Sequence, residues 1–313
     1  MVSGGVLVCG NAVMDILVRC VDRMEWGTTT WVESIEQHMG GNGATTSYSL
    51  ARHGAPVRLV SAVGPDAFGE QLLERLRSAG VDVSRVVRGR EPSSASVALV
   101  NSSGERLFLH RPGVAAEAFA APLDFDADLV ASVSHFHIGN LFALPRLRGR
   151  GPHTMQRARA TGLTTSLDTG WDSKGRWIED LGPCLPYTDI LFVNESEAKM
   201  LAGVEDWIAA GERLRESGAG TVVVKLGAQG CAVFEPNRHA HFSAFDVEAV
   251  DTTGAGDCFA GAFLAALHHG LDLFGAARFA NAAAALAVSR LGATDGLRSW
   301  DETLAWMQNA AAR

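Results

Sequence analysis

The stretch Asp251-Thr252-Thr253-Gly254-Ala255-Gly256-Asp257 sets a carboxylate directly after three small residues. The segment that follows, Cys258 to Leu267, reads as a helix. Phe259, Ala262, Phe263, Ala266 and Leu267 recur at the i, i+3, i+4 spacing of one buried face, and Gly270 supplies a stop. Small residues at a helix entry let the backbone come close to a ligand. The N–H groups there, together with the macrodipole, favour negative charge. Asp257 falls in the first turn, beside the place an anion would take. This pairing suits phosphoryl transfer to a hydroxyl: the N–H groups stabilise charge on the moving phosphoryl group, and the carboxylate takes the hydroxyl proton. Taken alone, the motif fits a plain Gly-rich entry to a core helix equally well.

The elements that must position these groups come from the rest of the chain. Its 313 residues, 47% of them hydrophobic, suit one large α/β domain. The net charge is -8 and no run of Lys and Arg interleaves with aromatics, which argues against nucleic acid as a partner. The five cysteines, Cys9, Cys20, Cys184, Cys231 and Cys258, form no Cys-x-x-Cys pair. They read as small buried thiols in a reducing compartment. Val6 to Cys9 is too short for a signal peptide or a membrane span. A cytoplasmic protein without a membrane partner is the expectation.

Strands are expected near 6–10, 57–63, 133–138, 163–167, 189–193 and 221–226. Helices are expected from an Asp66 N-cap to about Ala79, and near 152–161, 195–202, 206–217, 258–269 and 274–290. Alternating β and α units predict a mostly parallel sheet covered on both faces. Segments near 12–18, 29–36 and 95–111 break the alternation, the last as a hairpin turning at Asn101-Ser102-Ser103-Gly104. They are assigned to a small β-sheet standing off the main domain as a lid. Asp15, Asn140, Asp168, Asn194, Gly227 and Asp257 are each expected just past an apolar strand, the usual ligand edge of such sheets. His135 and His137 flank Phe136 on one strand; one of them is expected to turn into the core edge, and metal binding is disfavoured because no third ligand has the right spacing. Gly10-Asn11-Ala12-Val13 does not match the dinucleotide fingerprint, and no P-loop motif occurs, so an oxidoreductase and a P-loop enzyme are both disfavoured.

Across nearly its whole length the sequence resembles the ribokinase-like, or PfkB, carbohydrate kinases. Gly40-Gly41-Asn42-Gly43-Ala44-Thr45, Ala51-Arg52-His53-Gly54 and Val63 to Gly69 match the N-terminal signature. Asn194-Glu195-Ser196-Glu197, Val224-Lys225-Leu226-Gly227 and Asp251 to Asp257 match the later motifs. The resemblance implies a three-layer α/β/α fold over 1–313 with a small β lid. It also implies transfer of the ATP γ-phosphoryl group to a hydroxymethyl group of a sugar or sugar-like substrate. Asp257 would be the base and Gly254, Ala255 and Gly256 the anion hole. Asp15, Gly41, Asn42 and Asn140 would hold the acceptor, with Asn194, Glu197, Lys225, Gly227 and Asn281 at the nucleotide. Glu197 would act on Mg²⁺ through water, as suits a hard oxygen ligand. Asp251, Thr253, Ala287, Arg290 and Gly292 match the loop pair that holds a monovalent cation, K⁺, in many relatives. The chain departs from the ribokinase branch at Thr45, where an asparagine is usual, and at the apolar pair Val13 and Met14, where a polar amide is usual; beside the cation loops, Gly296 stands where relatives often place serine. A nucleoside kinase of the same family is the alternative. A catalytically silent sensor ranks lower, because the base and the glycines are both present. Arg106, His110 and Arg111 lie on the expected lid, which either closes on substrate or pairs with a second copy to give a homodimer.

Overall fold

A computed structural model describes residues 4–103, 105–236 and 238–311. Its strands are β1 (Gly5–Cys9), β2 (Val13–Arg19), β3 (Ser34–Gly40), β4 (Val57–Val63), β5 (Asp82–Arg88), β6 (Ser94–Val100), β7 (Arg106–Arg111), β8 (Val133–Ile138), β9 (Thr164–Asp168), β10 (Ile190–Asn194), β11 (Thr221–Lys225), β12 (Cys231–Glu235) and β13 (Arg238–Phe242). Its α-helices are α1 (Asn42–Arg52), α2 (Ala67–Ser78), α3 (Ala127–Ser132), α4 (Pro145–Arg148), α5 (Gly151–Ala160), α6 (Trp177–Leu181), α7 (Glu195–Ala202), α8 (Trp207–Glu216), α9 (Ala255–His268), α10 (Leu273–Val288) and α11 (Trp300–Ala311).

Nine strands form one sheet in the order β13-β12-β11-β10-β9-β8-β1-β4-β5. The run from β11 to β5 is parallel, and β12 and β13 add an antiparallel hairpin at one edge. Side chains alternate across each strand, so a sheet covered on both faces needs apolar residues at every position. Val6 and Val8 enter one core with Phe192, Phe263 and Phe279, while Leu7 and Cys9 enter the other with Phe136, Leu191 and Met155. The result is the three-layer arrangement expected from the alternation. His135 and His137 both turn inward and share the Ser166 hydroxyl, at 2.7 Å from each ring. Neither ends at the core edge, because neighbouring strand β9 supplies their polar partner.

A second, four-stranded sheet runs β3-β2-β6-β7. Its hairpin, β6 and β7, lies as expected, but its third segment does not: the strand runs Ser34–Gly40 rather than 29–36. The local alternation around Trp31 misleads because pairing to β2 sets the register, from Val13 against Gly40 to Arg19 against Ser34. Trp31 stays 89% exposed. Asp15 therefore sits inside β2 rather than past a strand end of the main sheet. Four of the five cysteines are buried; Cys20, at the end of β2, is only half-buried and donates to Glu33.

Candidate active site

Two helix N-termini and one face of the small sheet meet at a cavity of about 270 Å³ lined by Asp15, Asn42, Ser96, Phe108, Gly254 and Asp257, among others. The first helix is α1. Gly41 precedes it at φ +90, where a Cβ would lie 2.7 Å from the Val13 amide nitrogen, so only glycine fits this turn. The Asn42 amide donates to Asn11 Oδ1 at 2.8 Å. Asn42 Nδ2 then donates to Asp257 Oδ1 at 2.9 Å, and Asn140 Nδ2 donates to Asn42 Oδ1 at 3.1 Å. A chain of amides thus holds the Asp257 carboxylate.

The second helix is α9, which starts at Ala255, three residues earlier than the spacing predicts. Gly254 takes the N-cap place at φ +69, and among the described residues no side chain caps the helix. The Ala255 amide reaches back to the Thr252 carbonyl at 3.3 Å. Asp257 occupies the first turn. Packing of α1 on α9 fixes its backbone: Ser49 Oγ donates to the Cys258 carbonyl at 2.9 Å, and Gly261 leaves no room for a Cβ against Ser49.

Behind α9 lies a cluster of buried charge. Lys225, ending β11, donates to Asp168 Oδ2 at 2.5 Å from the end of β9. Its ammonium also borders Gly256, where a Cβ would come within 3.2 Å of Nζ. Asn194 and Glu197 form a capping box on α7, each side chain bonding the other's backbone at 2.8–2.9 Å. Thr169 Oγ1 adds a 3.2 Å bond to Glu197. Burial pushes the Asp168 and Glu197 carboxyls above their ordinary range against the pull of Lys225. Burial works against the charge of Lys225 too, but Asp168 and Glu197 outweigh it and hold the ammonium above its ordinary value. Burial first, then the Asp168 charge, pushes Asp257 to about 7, opposed by the Asn42 hydrogen bond and by Lys225. Burial likewise pushes Asp15 to about 6, opposed by Ser96 and His38.

The structure thus brings together Asp15, Gly41, Asn42, Asn140, Gly254, Ala255, Gly256 and Asp257, with Lys225, Glu197 and Asn194 adjoining. Gly227 opens the turn after β11 at φ +58. Asn281 does not line this cavity; its Nδ2 donates to the carbonyls of Phe242 and Ser243 at 2.9 and 3.2 Å. Ser96 and Phe108 also line the cavity. Their only sequence signal was their place, two apart in register, on facing strands of the hairpin. Thr45 lines it as well, and its Oγ1 is buried without a partner among the described residues.

Asp251 and the loops around it form a tight knot. Its Oδ1 accepts from the Thr253 amide at 3.0 Å and pairs with Arg106 at 3.1 Å; its Oδ2 accepts from the Gly292 amide at 3.0 Å. Val250 and Asp251 both donate to the Val288 carbonyl, and Arg290 reaches the Ala287 carbonyl at 3.5 Å.

The model of the pfkB family carbohydrate kinases matches residues 5–300. A 2-dehydro-3-deoxygluconokinase of Thermoproteus tenax is 32% identical over 285 residues, covering 87% of this chain and 86% of its own. The Arabidopsis thaliana ribokinase complexed with ribose and ATP superposes with a TM-score of 0.86 at 26% identity, over 98% of this chain and 99% of the other. A putative ribokinase II from E. coli in complex with ATP and Mg²⁺ does so with a TM-score of 0.83 at 27% identity, again over 98% and 99%.

Proposed function

This chain belongs to the pfkB family of carbohydrate kinases, and we propose that it phosphorylates a hydroxymethyl group of a single sugar or open-chain sugar acid held between α1 and the small sheet. It is an ATP-dependent kinase. The observation that carries the acceptor reading is the cavity itself. At about 270 Å³ it has room for one sugar. Its polar lining, Asp15, Asn42, Ser96 and the unpartnered Thr45 hydroxyl, matches the density of hydroxyls on such a molecule. Buried donors and acceptors of this kind reject analogues that lack the matching group.

In this reading Asp257 takes the proton of the acceptor hydroxyl. Asn42 and Asn140 hold the carboxylate in line. The first-turn amides of α9, with the Lys225 ammonium beside Gly256, receive the charge that spreads over the transferred group. Mg²⁺, bound with ATP, would neutralise phosphate charge, and Glu197 with Asn194 suits it through intervening water. Gly227 and Asn281 are assigned to the nucleotide by resemblance alone. The test is ADP release with ATP and Mg²⁺ across pentoses, hexoses, 2-keto-3-deoxy sugar acids and nucleosides. Turnover on one sugar or sugar acid at least about tenfold above every nucleoside is expected; preference for a nucleoside would refute the acceptor reading.

Among the described residues no helix is long and apolar enough to cross a membrane. We place the enzyme in the cytoplasm on the strength of its free cysteines. The small sheet serves in this reading as the lid. Leu107, Phe108 and Leu109 on β7 are each half exposed or more, and β7 forms the sheet's edge. Exposed apolar edges of this kind are normally covered. A second copy of the chain is the proposed cover, so sedimentation should show a dimer at micromolar concentration; a monomer at all concentrations would contradict it.

A further inference from the structure

We infer that the guanidinium of Arg106 takes the place that the resemblance gives to a monovalent cation, so that phosphoryl transfer runs without K⁺ and depends instead on the position of the small sheet. The inference rests on the reading of residues 254–256 as the anion hole. Asp251 is 5% exposed and lies three residues before Gly254. A buried carboxylate needs a cation or a full set of donors. Here it has both: two backbone amides, from Thr253 and Gly292, and Arg106. A K⁺ ion would have to share this one carboxylate with a guanidinium already 3.1 Å from Oδ1.

The rest of the loop pair does not fit the ion either. Gly296 stands where a serine hydroxyl would be expected, and a Cβ there would lie 2.0 Å from the Leu286 carbonyl oxygen and 2.8 Å from that of Ala287. No side chain, and so no hydroxyl ligand, fits at that position. The carbonyl of Val288, the next residue, is taken by two amides.

Arg106 is suited to the substitution. Its Nη1, the nitrogen that pairs with Asp251, also donates to Thr253 Oγ1 at 3.2 Å, so a single guanidinium nitrogen ties Asp251 to Thr253 across the turn. It opens β7 and lies in register with Val100, two residues from Phe108, which lines the cavity. A free ion would hold the turn whatever the small sheet did. A tethered guanidinium holds it only while the sheet sits over the cavity. Arg106 is therefore a positioning residue that couples closure of the sheet to the shape of the α9 entry.

The test compares wild type, Arg106→Ala and Arg106→Lys in choline chloride replaced stepwise by KCl up to about 100 mM, at constant ionic strength so that general screening is unchanged. Two readouts are taken: kcat with ATP, Mg²⁺ and the best acceptor of the screen, and the melting temperature without substrate. Wild type should hold kcat within about twofold across the series and show no K⁺-specific rise in melting temperature. Arg106→Ala should lose about tenfold or more in kcat with little change in KM for ATP. KCl or methylguanidinium should restore part of that loss, KCl should raise the variant's melting temperature, and Arg106→Lys should keep most of the activity. Several-fold K⁺ activation of wild type would overturn the inference. So would an unimpaired Arg106→Ala, or one that neither K⁺, methylguanidinium nor the lysine variant restores. Should no acceptor be turned over at all, the kinase reading fails on its own, and the melting series still decides whether Arg106 or K⁺ serves Asp251.

Discussion

Asp257→Asn is expected to lower kcat by about three orders of magnitude while ATP affinity stays within about threefold. The carboxylate is the one group in the cavity placed both in the first turn of α9 and at the end of an amide relay from Asn140 through Asn42. An asparagine at 257 keeps a carbonyl oxygen for Asn42 to bond, so the geometry of the turn survives while the proton acceptor is lost. Isothermal titration with ATP and Mg²⁺, set beside steady-state turnover, separates the two effects. The same substitution should stabilise the protein. An aspartate raised from 3.8 to about 7 by folding contributes stability that is present below pH 4 and lost as pH rises towards 7. At pH 8 the ionised group is a burden that asparagine removes, and a rise in melting temperature of a few degrees is expected. Unchanged turnover would remove Asp257 as the base.

Lys225→Met should be the most damaging change behind the cavity. It leaves Asp168 and Glu197 facing each other without their shared cation, and breaking a buried pair from one side costs about 3–5 kcal/mol. It also removes the ammonium beside Gly256, and with it a group that receives charge from the transferred phosphoryl; a loss of at least about a hundredfold in kcat/KM for ATP is expected. Lys225 is one of the two groups that hold Asp257 down, so the variant's acid limb should move to higher pH. That shift separates an electrostatic role from mere loosening, which would lower activity evenly across pH. A melting temperature and a pH profile both equal to wild type would refute the role of Lys225.

Much of this was legible from local sequence. Continuous apolar runs such as Val6-Leu7-Val8-Cys9 mark strands buried on both faces, and the glycines at 41 and 254 mark turns that only glycine enters. Asp257 and Asn42 follow from those turns. The strand β5 is half polar because it lies at a sheet edge, and its weak pattern hid it. The β12–β13 hairpin and α11 also escaped notice, being outside the repeating β–α pattern that guided the reading. What local pattern could not give was pairing. Ser96 reaches the cavity because β6 lies beside β2, some 80 residues earlier in the chain, with Asp15 against Ser96. Asp168 meets Lys225 across 57 residues, and Arg106 meets Thr253 across 147. Each of these contacts is set by strand order, which no short motif encodes. The misplaced strand around Trp31 has the same origin, since its true register is dictated by β2.

The most direct measurement is the pH dependence of kcat/KM for wild type and for Asp257→Asn with the same acceptor. Because the base must be ionised, wild-type kcat/KM should rise with pH through an ionisation near 7 and level off above it. The residual activity of Asp257→Asn should lack that limb. An identical limb in both proteins would mean that another group takes the hydroxyl proton, and the mechanism built on the start of α9 would be wrong.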